Sequence, residues 1–416
     1  MGTVASHREC PVCGAVDAEP VYRQRFAVED DGTRIAGYHV VVCRPCGAVY
    51  ADGIPSQEVL DAYYRDSSKY EYLEEQGEPP EWLTLWHTDL VDSLTPYLPS
   101  ANAKIVDVGC GNGDVLGMLK AAGYERALGV DPAPGSPEAA HRLHGVRVLA
   151  GGVTTLPEEA RGADCVILSA VLEHLRDVRD ALTAVAAALA PAGLLYAEVP
   201  DLERFPTQIV PPFQEFSLEH INYFTAASLV NAAARAGLEL AAHWNAVRQV
   251  GPSAEPSLCA VFGRSTPRAR PTARDASGET ALRRYVASCA DCEEKVAVRI
   301  EELVDAGTPF IVWGVGTHTL HLLESTSLGR ANIVALVDAN PRLHGLRVGE
   351  RSVAGPESVA SRPEALLICS PLHQDEIVRM ARERFAMSNP VLTLYGPPPQ
   401  VVVTSEPGQR RTGERP

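Results

Sequence analysis

Ten cysteines are spread along the chain, and four of them form a regular pattern near its start. Cys10 and Cys13 make one Cys-x-x-Cys pair, Cys43 and Cys46 make a second, and a glycine follows each pair. Glycine permits the tight turn that aims two thiolates at one ion, and four thiolates suit tetrahedral zinc. Such a site has no open position for water, so the spacing predicts a structural zinc ion. Redox-active or incidental thiols are the alternative.

A second chemical pattern follows the short apolar strand that begins at Lys104. After Asp107 three glycines occupy alternate positions: Gly109, Gly111 and Gly113. Side chains at these positions would keep a ligand away from the backbone. A helix is predicted over Val115–Ala122, which places the loop at the carboxyl end of the strand, where open α/β sheets bind ligands. Asp131 ends the next strand and is placed to accept hydrogen bonds from ribose hydroxyls. A dinucleotide site would share this layout.

A third pattern combines an acid, an imidazole and a phenol within the segment 213–225. Glu219 and His220 are adjacent, and Tyr223 follows three residues later. A histidine of near-neutral pKa can take a proton from carbon or oxygen, so His220 is the predicted general base. The alternative is that His220 only caps the predicted helix Ala226–Ala236.

The elements that must position these residues fall into three segments. Residues 1–55 hold the four cysteines, with a predicted strand over Tyr38–Val42. Residues 56–263 alternate β-branched runs with Ala- and Leu-rich stretches, which indicates βαβ units and a mostly parallel sheet. A linker rich in Pro, Arg and Ser is predicted over 264–278, a second α/β unit over 279–398 and a disordered tail over 399–416.

The third segment carries a partial nucleotide fingerprint. A strand runs into Gly314-x-Gly316, and Asp338 ends the next strand. The third glycine of a dinucleotide motif is absent, so the pattern is weak, and a role in shaping a substrate cleft is preferred over a bound dinucleotide. Cys289 and Cys292 lie in the predicted helix Ala281–Val304, where ordinary thiols are expected.

Composition excludes some function classes. The chain has 416 residues, 45% of them hydrophobic, and a net charge of −16. Its acidity would repel a phosphate backbone, so no nucleic-acid partner is expected. No apolar run approaches the roughly 20 residues of a membrane span, and the first ten residues lack the apolar core of a signal peptide. These features predict a cytoplasmic protein without a membrane partner.

The run from Asp107 to Asp114, Asp-Val-Gly-Cys-Gly-Asn-Gly-Asp, resembles the first motif of class I S-adenosylmethionine methyltransferases. The segments 164–175 and 191–200 resemble the family's fourth and fifth strands, in the right order. The resemblance implies a Rossmann-like α/β domain in which Asp131 is the ribose-binding acid. The residues it implies for the cofactor are Asp107, Gly109, Cys110, Gly111, Gly113, Asp131, Pro132, Ser169 and His174. A degenerate domain that kept the fold and lost the ligand is the alternative.

The whole chain resembles the C-methyltransferases of nucleotide-linked deoxysugars, which combine a four-cysteine zinc domain, a class I domain and a C-terminal Rossmann-like domain. In that family the histidine of a Glu-His pair acts as base at a carbon beside a carbonyl, which implies this role for His220. An assisting tyrosine two residues before the Glu is replaced here by Ser217. Either another phenol, such as Tyr70, Tyr72 or Tyr223, replaces it, or the substrate differs.

Tyr70 belongs to a segment, 63–72, that is dense in phenols and small hydroxyls. In the resembled family such a cluster folds over cofactor and substrate, which makes Tyr70 a candidate catalytic residue. The alternative is aromatic packing of a linking helix.

These patterns predict methyl transfer from S-adenosylmethionine to a small metabolite, first of all C-methylation of a nucleotide-linked deoxysugar in natural-product biosynthesis. O- or N-methylation of another intermediate, or a non-methylating reaction on the same scaffold, is the first alternative. A non-catalytic zinc-ribbon binding protein is the second.

Overall fold

The structure, a computed structural model, describes residues 8–28, 35–66, 80–208, 212–250, 253–265 and 274–396. Within these residues the strands form three sheets. The α/β class predicted from the sequence is confirmed.

The first sheet is antiparallel and carries the cysteine pairs at one end. Its strands are β1 (Ala18–Arg25), β2 (Gly37–Cys43) and β3 (Val49–Asp52), and the two-residue strand β9 (Asn222–Tyr223) joins its edge. The predicted strand over 38–42 is confirmed within β2. Because β9 comes from the middle of the chain, the first sheet is completed by a segment that the sequence assigned to another unit.

The second sheet is doubly wound and holds the glycine loop. Its further strands are β4 (Ile105–Val108), β5 (Ala127–Asp131), β6 (Val148–Ala150), β7 (Ala163–Ser169), β8 (Leu189–Pro200), β10 (Leu238–Val250) and β11 (Ser253–Arg264). Their order is β10-β11-β8-β7-β4-β5-β6, with β11 antiparallel to both of its neighbours. The order reverses beside β4, and ligands bind open α/β sheets at such a reversal.

The third sheet is smaller. Its strands are β12 (Phe310–Trp313), β13 (Ile333–Val337), β14 (Arg347–Val348), β15 (Arg351–Ala354), β16 (Ala365–Ile368) and β17 (Val391–Thr393). Within the described residues their order is β14-β15-β13-β12-β16-β17, and every pair except β14–β15 is parallel. The second α/β unit predicted from the sequence is therefore confirmed as a Rossmann-like sheet.

Helices cover the sheets and connect the units. They are α1 (Gln57–Asp66), α2 (Glu81–Leu94), α3 (Asp114–Ala121), α4 (Ser136–His144), α5 (Val178–Ala188), α6 (Phe205–Gln208), α7 (Ala226–Arg235), α8 (Ser277–Ala306), α9 (Thr317–Ser325) and α10 (Gln374–Glu383). The predicted helix over 281–304 is confirmed and extends to 30 residues as α8. No described helix is long and apolar enough to cross a membrane.

Two shared cores join the three units. One buried cluster contains Val40 of the first sheet together with Leu282 and Tyr285 of α8. Another contains Cys43 together with Leu168 of the second sheet. Burying apolar side chains from different segments in one core fixes the units against each other.

Asp275, which lies just before α8, forms hydrogen bonds with residues of the other two units. Its side chain is buried, and its Oδ2 atom accepts a 2.5 Å hydrogen bond from the Thr225 hydroxyl. The Asp275 N–H donates to the carbonyl of Cys46 at 2.7 Å. The end of the segment predicted as a linker is therefore ordered, and it ties α8 to the cysteine pairs. Residues 266–273 of that linker and the predicted tail lie outside the described residues.

The contact at Asp275 predicts that Gly47→Ala destabilises the protein. Gly47 has φ +79°, and a Cβ there would lie 1.9 Å from the Asp275 carbonyl oxygen. Gly123 has φ +94° but open space around it, so Gly123→Ala serves as a matched control for backbone strain alone. We expect the control to cost about 1–2 kcal/mol and Gly47→Ala to lower the midpoint of urea unfolding clearly further. Equal midpoints would show that the junction yields without cost.

Candidate active site

A cavity of about 380 Å³ opens at the carboxyl ends of the second sheet's strands. Four of the predicted cofactor residues line it: Gly109, Asp131, Pro132 and His174. The predicted catalytic residue Glu219 lines it as well. Residues from distant parts of the sequence thus meet at the edge where the strand order reverses, as the α/β prediction requires.

Gly109 opens the cavity to the backbone. Its φ is +80°, and an added Cβ would lie 2.7 Å from Cγ2 of Val171, which also lines the cavity. A side chain at this position would be strained and would displace Val171. The glycine therefore keeps both the loop conformation and the cavity wall.

Asp131 is buried and binds the glycine loop. Its Oδ2 atom accepts a hydrogen bond from the Gly111 N–H at 2.8 Å. Its Oδ1 atom accepts from the Ala133 N–H and from the Ser136 hydroxyl, both at 2.9 Å. Burial nevertheless raises the pKa of Asp131. A carboxylate has about four acceptor sites, so the protein uses most of them and leaves room for about one ligand hydroxyl.

Five predicted cofactor residues are not among those that line the cavity: Asp107, Cys110, Gly111, Gly113 and Ser169. Burial and the nearby charge of Asp131 raise the pKa of Asp107 to about 7. Asp107 lies beneath the glycine loop, and the Cys110 side chain packs against the core under α4. None of the five therefore forms the cavity wall, and the Gly111 N–H donates to the Asp131 side chain.

A buried carboxylate that the sequence did not reveal lies behind the cavity. Oε1 of Glu198 accepts a 2.6 Å hydrogen bond from Nε of Arg248, and Oε2 accepts one from the Tyr196 hydroxyl at 3.0 Å. Burial raises the pKa of Glu198 to about 7. Arg248 also pairs with Asp89 of α2. The Glu198 carbonyl accepts from the N–H of Ala170, a cavity residue held at φ +53°.

His174, which lines the cavity, packs against His220, which is not among the lining residues. Their ring centroids lie 5.1 Å apart. Nδ1 of His174 donates to the Glu219 carbonyl at 3.1 Å, and Glu173 lies beside it, almost fully buried. Ligand atoms of Glu173, His174 and His220 lie within 4.8 Å of one another.

His220 is surrounded by carboxylates. Its Nδ1 atom lies 3.4 Å from Oε2 of Glu215, a buried residue that sequence reasoning missed although it lies in the same segment. Burial alone would lower the pKa of His220, but Glu215, Glu173 and Glu219 outweigh it and raise that pKa to about 9. The imidazole is therefore protonated at neutral pH unless a nearby positive charge lowers its proton affinity.

Ser217 stands where the resembled C-methyltransferases carry a tyrosine, and its side chain bonds to the backbone. Its hydroxyl oxygen accepts hydrogen bonds from the backbone N–H groups of Glu219, at 3.2 Å, and of His220, at 2.9 Å. Serine commonly holds a turn in this way. The side chain thus fixes the backbone that carries the acid–imidazole pair.

The alternative that His220 caps the following helix is not what the structure shows. The Thr225 hydroxyl accepts from the Ser228 N–H at 3.1 Å and caps α7 instead. Tyr223 is buried, its hydroxyl donates to the His220 carbonyl at 2.9 Å, and burial raises the pKa of Tyr223 well above its usual range. The Tyr223 hydroxyl therefore supports the backbone of His220, Tyr223 is not among the residues that line the cavity, and its catalytic role stays a prediction.

Two predicted tyrosines lie outside the described part of the chain, and several residues that were not predicted line the cavity. Tyr70 and Tyr72 lie outside the described residues, so their predicted role remains a prediction. The cavity is also lined by Gln57 and Asp61 of α1 and by the segment 151–155 after β6. The segment 151–155 could have been predicted as part of the site, because it follows a parallel strand and ligands bind at the ends of such strands. No sequence motif indicated that Gln57 and Asp61 line the cavity.

The four cysteines predicted as metal ligands come together. Sγ of Cys10 lies 3.6 Å from Sγ of Cys46, and Sγ of Cys13 lies 3.4 Å from Sγ of Cys43. All four sulfur atoms lie within 4.8 Å of one another. Tetrahedral zinc with a Zn–S bond of about 2.3 Å places sulfurs ~3.8 Å apart. The cluster is therefore compatible with a zinc ribbon.

In the partial nucleotide fingerprint of the third sheet, backbone N–H groups donate to the side chain of Asp338. The Val315 N–H donates to Oδ2 of Asp338, and the Asn340 N–H donates to Oδ1, both at 2.8 Å. Backbone N–H groups of the protein thus take two acceptor sites of the acid that a dinucleotide ribose would use. Burial lowers the pKa of His318, the second residue of α9, to about 3, which keeps its imidazole neutral beside the Tyr395 hydroxyl.

Comparison with known proteins identifies the middle of the chain. Residues 82–243 match the family model of a methyltransferase domain. This stretch contains the glycine loop and most of the second sheet, whose doubly wound order agrees with the predicted fold.

Individual relatives cover only parts of the chain. The C-methyltransferase NovU of Streptomyces niveus is 28% identical over 237 residues, which is 53% of this chain and 53% of the relative. A tRNA U34 carboxymethyltransferase of Cellvibrio japonicus is 34% identical over 129 residues, 28% of this chain and 38% of the relative. The chain therefore spans about half the length or less of these relatives.

Among solved structures, an N1-methyltransferase of Burkholderia thailandensis was crystallised with 1,6-didemethyltoxoflavin and S-adenosylhomocysteine. It is 18% identical, with a TM-score of 0.40, and the alignment covers 60% of this chain and all of that one.

Proposed function

We propose that the chain is an S-adenosylmethionine-dependent methyltransferase whose acceptor is a carbon atom of a nucleotide-linked sugar. The observation that carries the proposal is the shared cavity, with Gly109 and Asp131 on one side and His174 and Glu219 on the other. A cofactor pocket and an acid–imidazole cluster thus meet in one space, which is the arrangement that methyl transfer needs.

The residues of the cofactor side fit S-adenosylmethionine. Gly109 leaves the backbone open, and the buried Asp131 keeps an acceptor site for a ribose hydroxyl. The cavity of about 380 Å³ lies within the usual range of ligand pockets, roughly 300–1,000 Å³. When bound, this cofactor supplies an electrophilic methyl group on a positively charged sulfur.

His220 is the proposed base. With the cofactor bound, the acceptor would take its methyl group, and His220 would accept the proton that the acceptor loses. The products are the methylated acceptor, S-adenosylhomocysteine and a proton that His220 later releases to water. Glu219, at the cavity wall, orients the acceptor, while its carbonyl holds His174.

The sugar acceptor is supported by the order of the three units and by the likeness to a C-methyltransferase over 53% of the chain. Ser217 favours a second candidate, O- or N-methylation of another small metabolite, because its hydroxyl is bound to the backbone and none of the described residues that line the cavity is a tyrosine. A non-catalytic binding protein is disfavoured because the cavity is retained.

We further propose that Cys10, Cys13, Cys43 and Cys46 hold a structural zinc ion. Their sulfur atoms are close enough for tetrahedral ligation, and four thiolates leave no position for a substrate. The ion would fix the turn that Asp275 contacts, and so would stabilise the junction of the units.

Cofactor binding is tested by calorimetry with S-adenosylmethionine and S-adenosylhomocysteine. We expect both to bind and Asp131→Ala to weaken binding at least about tenfold, because a hydrogen bond to a charged group contributes about 1.5–3 kcal/mol. Asp164→Ala is the matched control, since Asp164 lies near the opposite end of β7 and binds the Lys104 N–H. A wild-type protein that binds neither ligand would refute the enzyme proposal.

Turnover is tested with a panel of nucleotide-linked sugars and mass spectrometry for a gain of one methyl group. We expect His220→Ala to reduce the rate by about 10²–10⁴-fold while cofactor affinity is retained. Since the pKa of His220 is about 9 and the base must be neutral, kcat/KM should rise with pH and level off near pH 9. Methylation of hydroxyl or amine acceptors alone would select the second candidate function.

Zinc is tested by metal analysis of the purified protein. We expect about one zinc per chain, with Cys43→Ser reducing the zinc content and the unfolding temperature together. Cys292→Ser, a cysteine outside the cluster, is the matched control and should change neither quantity. A metal-free protein with unchanged unfolding temperature would show that the cysteines do not hold a structural ion.

A further inference from the structure

The loop Phe213–His220 contains an acid that no motif assigns and that touches the proposed base. We propose that Glu215 is the positioning residue of His220, and that the C-terminal unit belongs to the active site because α8 holds Glu215 in place. The inference rests on the proposed function, since it explains how the base of that reaction is oriented.

The first support is the geometry of the pair. The Glu215 side chain is 7% exposed, and its Oε2 atom lies 3.4 Å from Nδ1 of His220. Nδ1 itself is buried, whereas 24% of the His220 side chain remains exposed. Glu215 therefore lies at ion-pair distance from the inner ring nitrogen, and we infer that the other nitrogen, Nε2, is the one that meets a ligand.

The Glu215 carboxylate beside Nδ1 decides which tautomer His220 adopts. In the neutral imidazole one nitrogen carries the proton and the other accepts. A carboxylate at Nδ1 favours the proton there, so that Nε2 keeps the lone pair that takes a proton from an acceptor. A carboxylate serves the same purpose for the histidine of hydrolase triads.

The second support is the way in which α8 holds the loop. The Glu215 N–H donates to the Tyr285 hydroxyl at 3.2 Å, and the Phe213 N–H donates to Sγ of Cys289 at 3.1 Å. Phe213 has φ +58°, a conformation that a non-glycine residue keeps only when its surroundings enforce it. Tyr285 and Cys289 lie one turn apart on α8 and supply that enforcement.

The first sheet holds the same loop from the opposite side. Nε2 of Gln24 donates to the Phe216 carbonyl at 2.7 Å, and the rings of Tyr22 and Phe213 stack at 4.3 Å. The ring of Phe216 packs edge-on against Tyr285 at 5.2 Å. Both flanking units thus clamp a loop that belongs to the methyltransferase domain.

The third support is the charge around His220. The groups that face it or its backbone are the carboxylates of Glu215, Glu173 and Glu219, the imidazole of His174, the hydroxyl of Tyr223 at its carbonyl, and the Arg8 guanidinium at the carbonyl of the next residue. Of the three acids, Glu215 contributes most to raising the pKa of His220 to about 9. Burial opposes this effect, and the three acids together outweigh it.

The experiment follows the His220 imidazole by NMR in the full-length protein with ¹⁵N-labelled histidine. Its signal is assigned by loss in His220→Gln. We expect Glu215→Gln to lower the pKa of His220 from about 9 toward the ordinary value of about 6.5 and to let the neutral ring sample the other tautomer. Glu219→Gln is the matched control and should lower that pKa less, because Glu219 acts only through its charge.

Tyr285→Phe tests the contribution of the C-terminal unit. It keeps the aromatic packing but removes the acceptor of the Glu215 N–H, so we expect a shift in the same direction as Glu215→Gln, of smaller size. Cys292→Ser on the same helix should leave the titration unchanged. A His220 titration and tautomer unaffected by Glu215→Gln would overturn the proposal.

Calorimetry on the same samples separates the two proposals. If the wild-type protein binds S-adenosylmethionine and Glu215→Gln leaves the His220 titration unchanged, the positioning role fails and the methyltransferase proposal stands. If the titration shifts as expected but neither S-adenosylmethionine nor S-adenosylhomocysteine binds, the Glu215–His220 pair stands and the proposed function fails.

Discussion

The hydrogen bonds that hold the backbone of the loop Phe213–His220 are the constraint on which the candidate site depends. The loop has no helix or sheet ladder to satisfy its N–H groups, so side chains accept them: Cys289, Tyr285 and Ser217. Because buried N–H groups require partners, these bonds fix where the acid–imidazole pair lies. Two of the three acceptors come from a unit outside the methyltransferase domain.

The charges around the cavity follow from that placement. Carboxylates stand on both sides: Asp107 and Asp131 under the glycine loop, and Glu173, Glu215 and Glu219 near His220. Burial makes each negative charge costly, and the raised pKa of Asp107 records that cost. A positively charged cofactor between the two groups would offset both, and it would also lower the proton affinity of the imidazole. Binding and base catalysis would thus be coupled through charge.

The predicted site residues differ in whether their side chains point to the cavity. The glycine at 109 and the acid at 131 face the cavity, because strand ends and tight turns restrict where such residues point. Tyr223 was expected to act on a substrate, but β9 pairs with the first sheet and turns its hydroxyl toward the His220 carbonyl. Ser217 stands where the resembled family has a tyrosine, and its hydroxyl accepts the Glu219 N–H and holds the turn.

The sequence by itself determined the features that depend on short spacing. The spacing predicted the four-thiolate cluster and the cofactor loop. Within each Cys-x-x-Cys pair, and within the loop of alternating glycines, neighbours in sequence are also neighbours in space. Only the tertiary structure decided that Glu215 lies against His220, that Tyr285, 70 residues away, holds it, and that β9 completes the first sheet. These contacts join segments through shared burial, and no local pattern specifies which buried surfaces will meet.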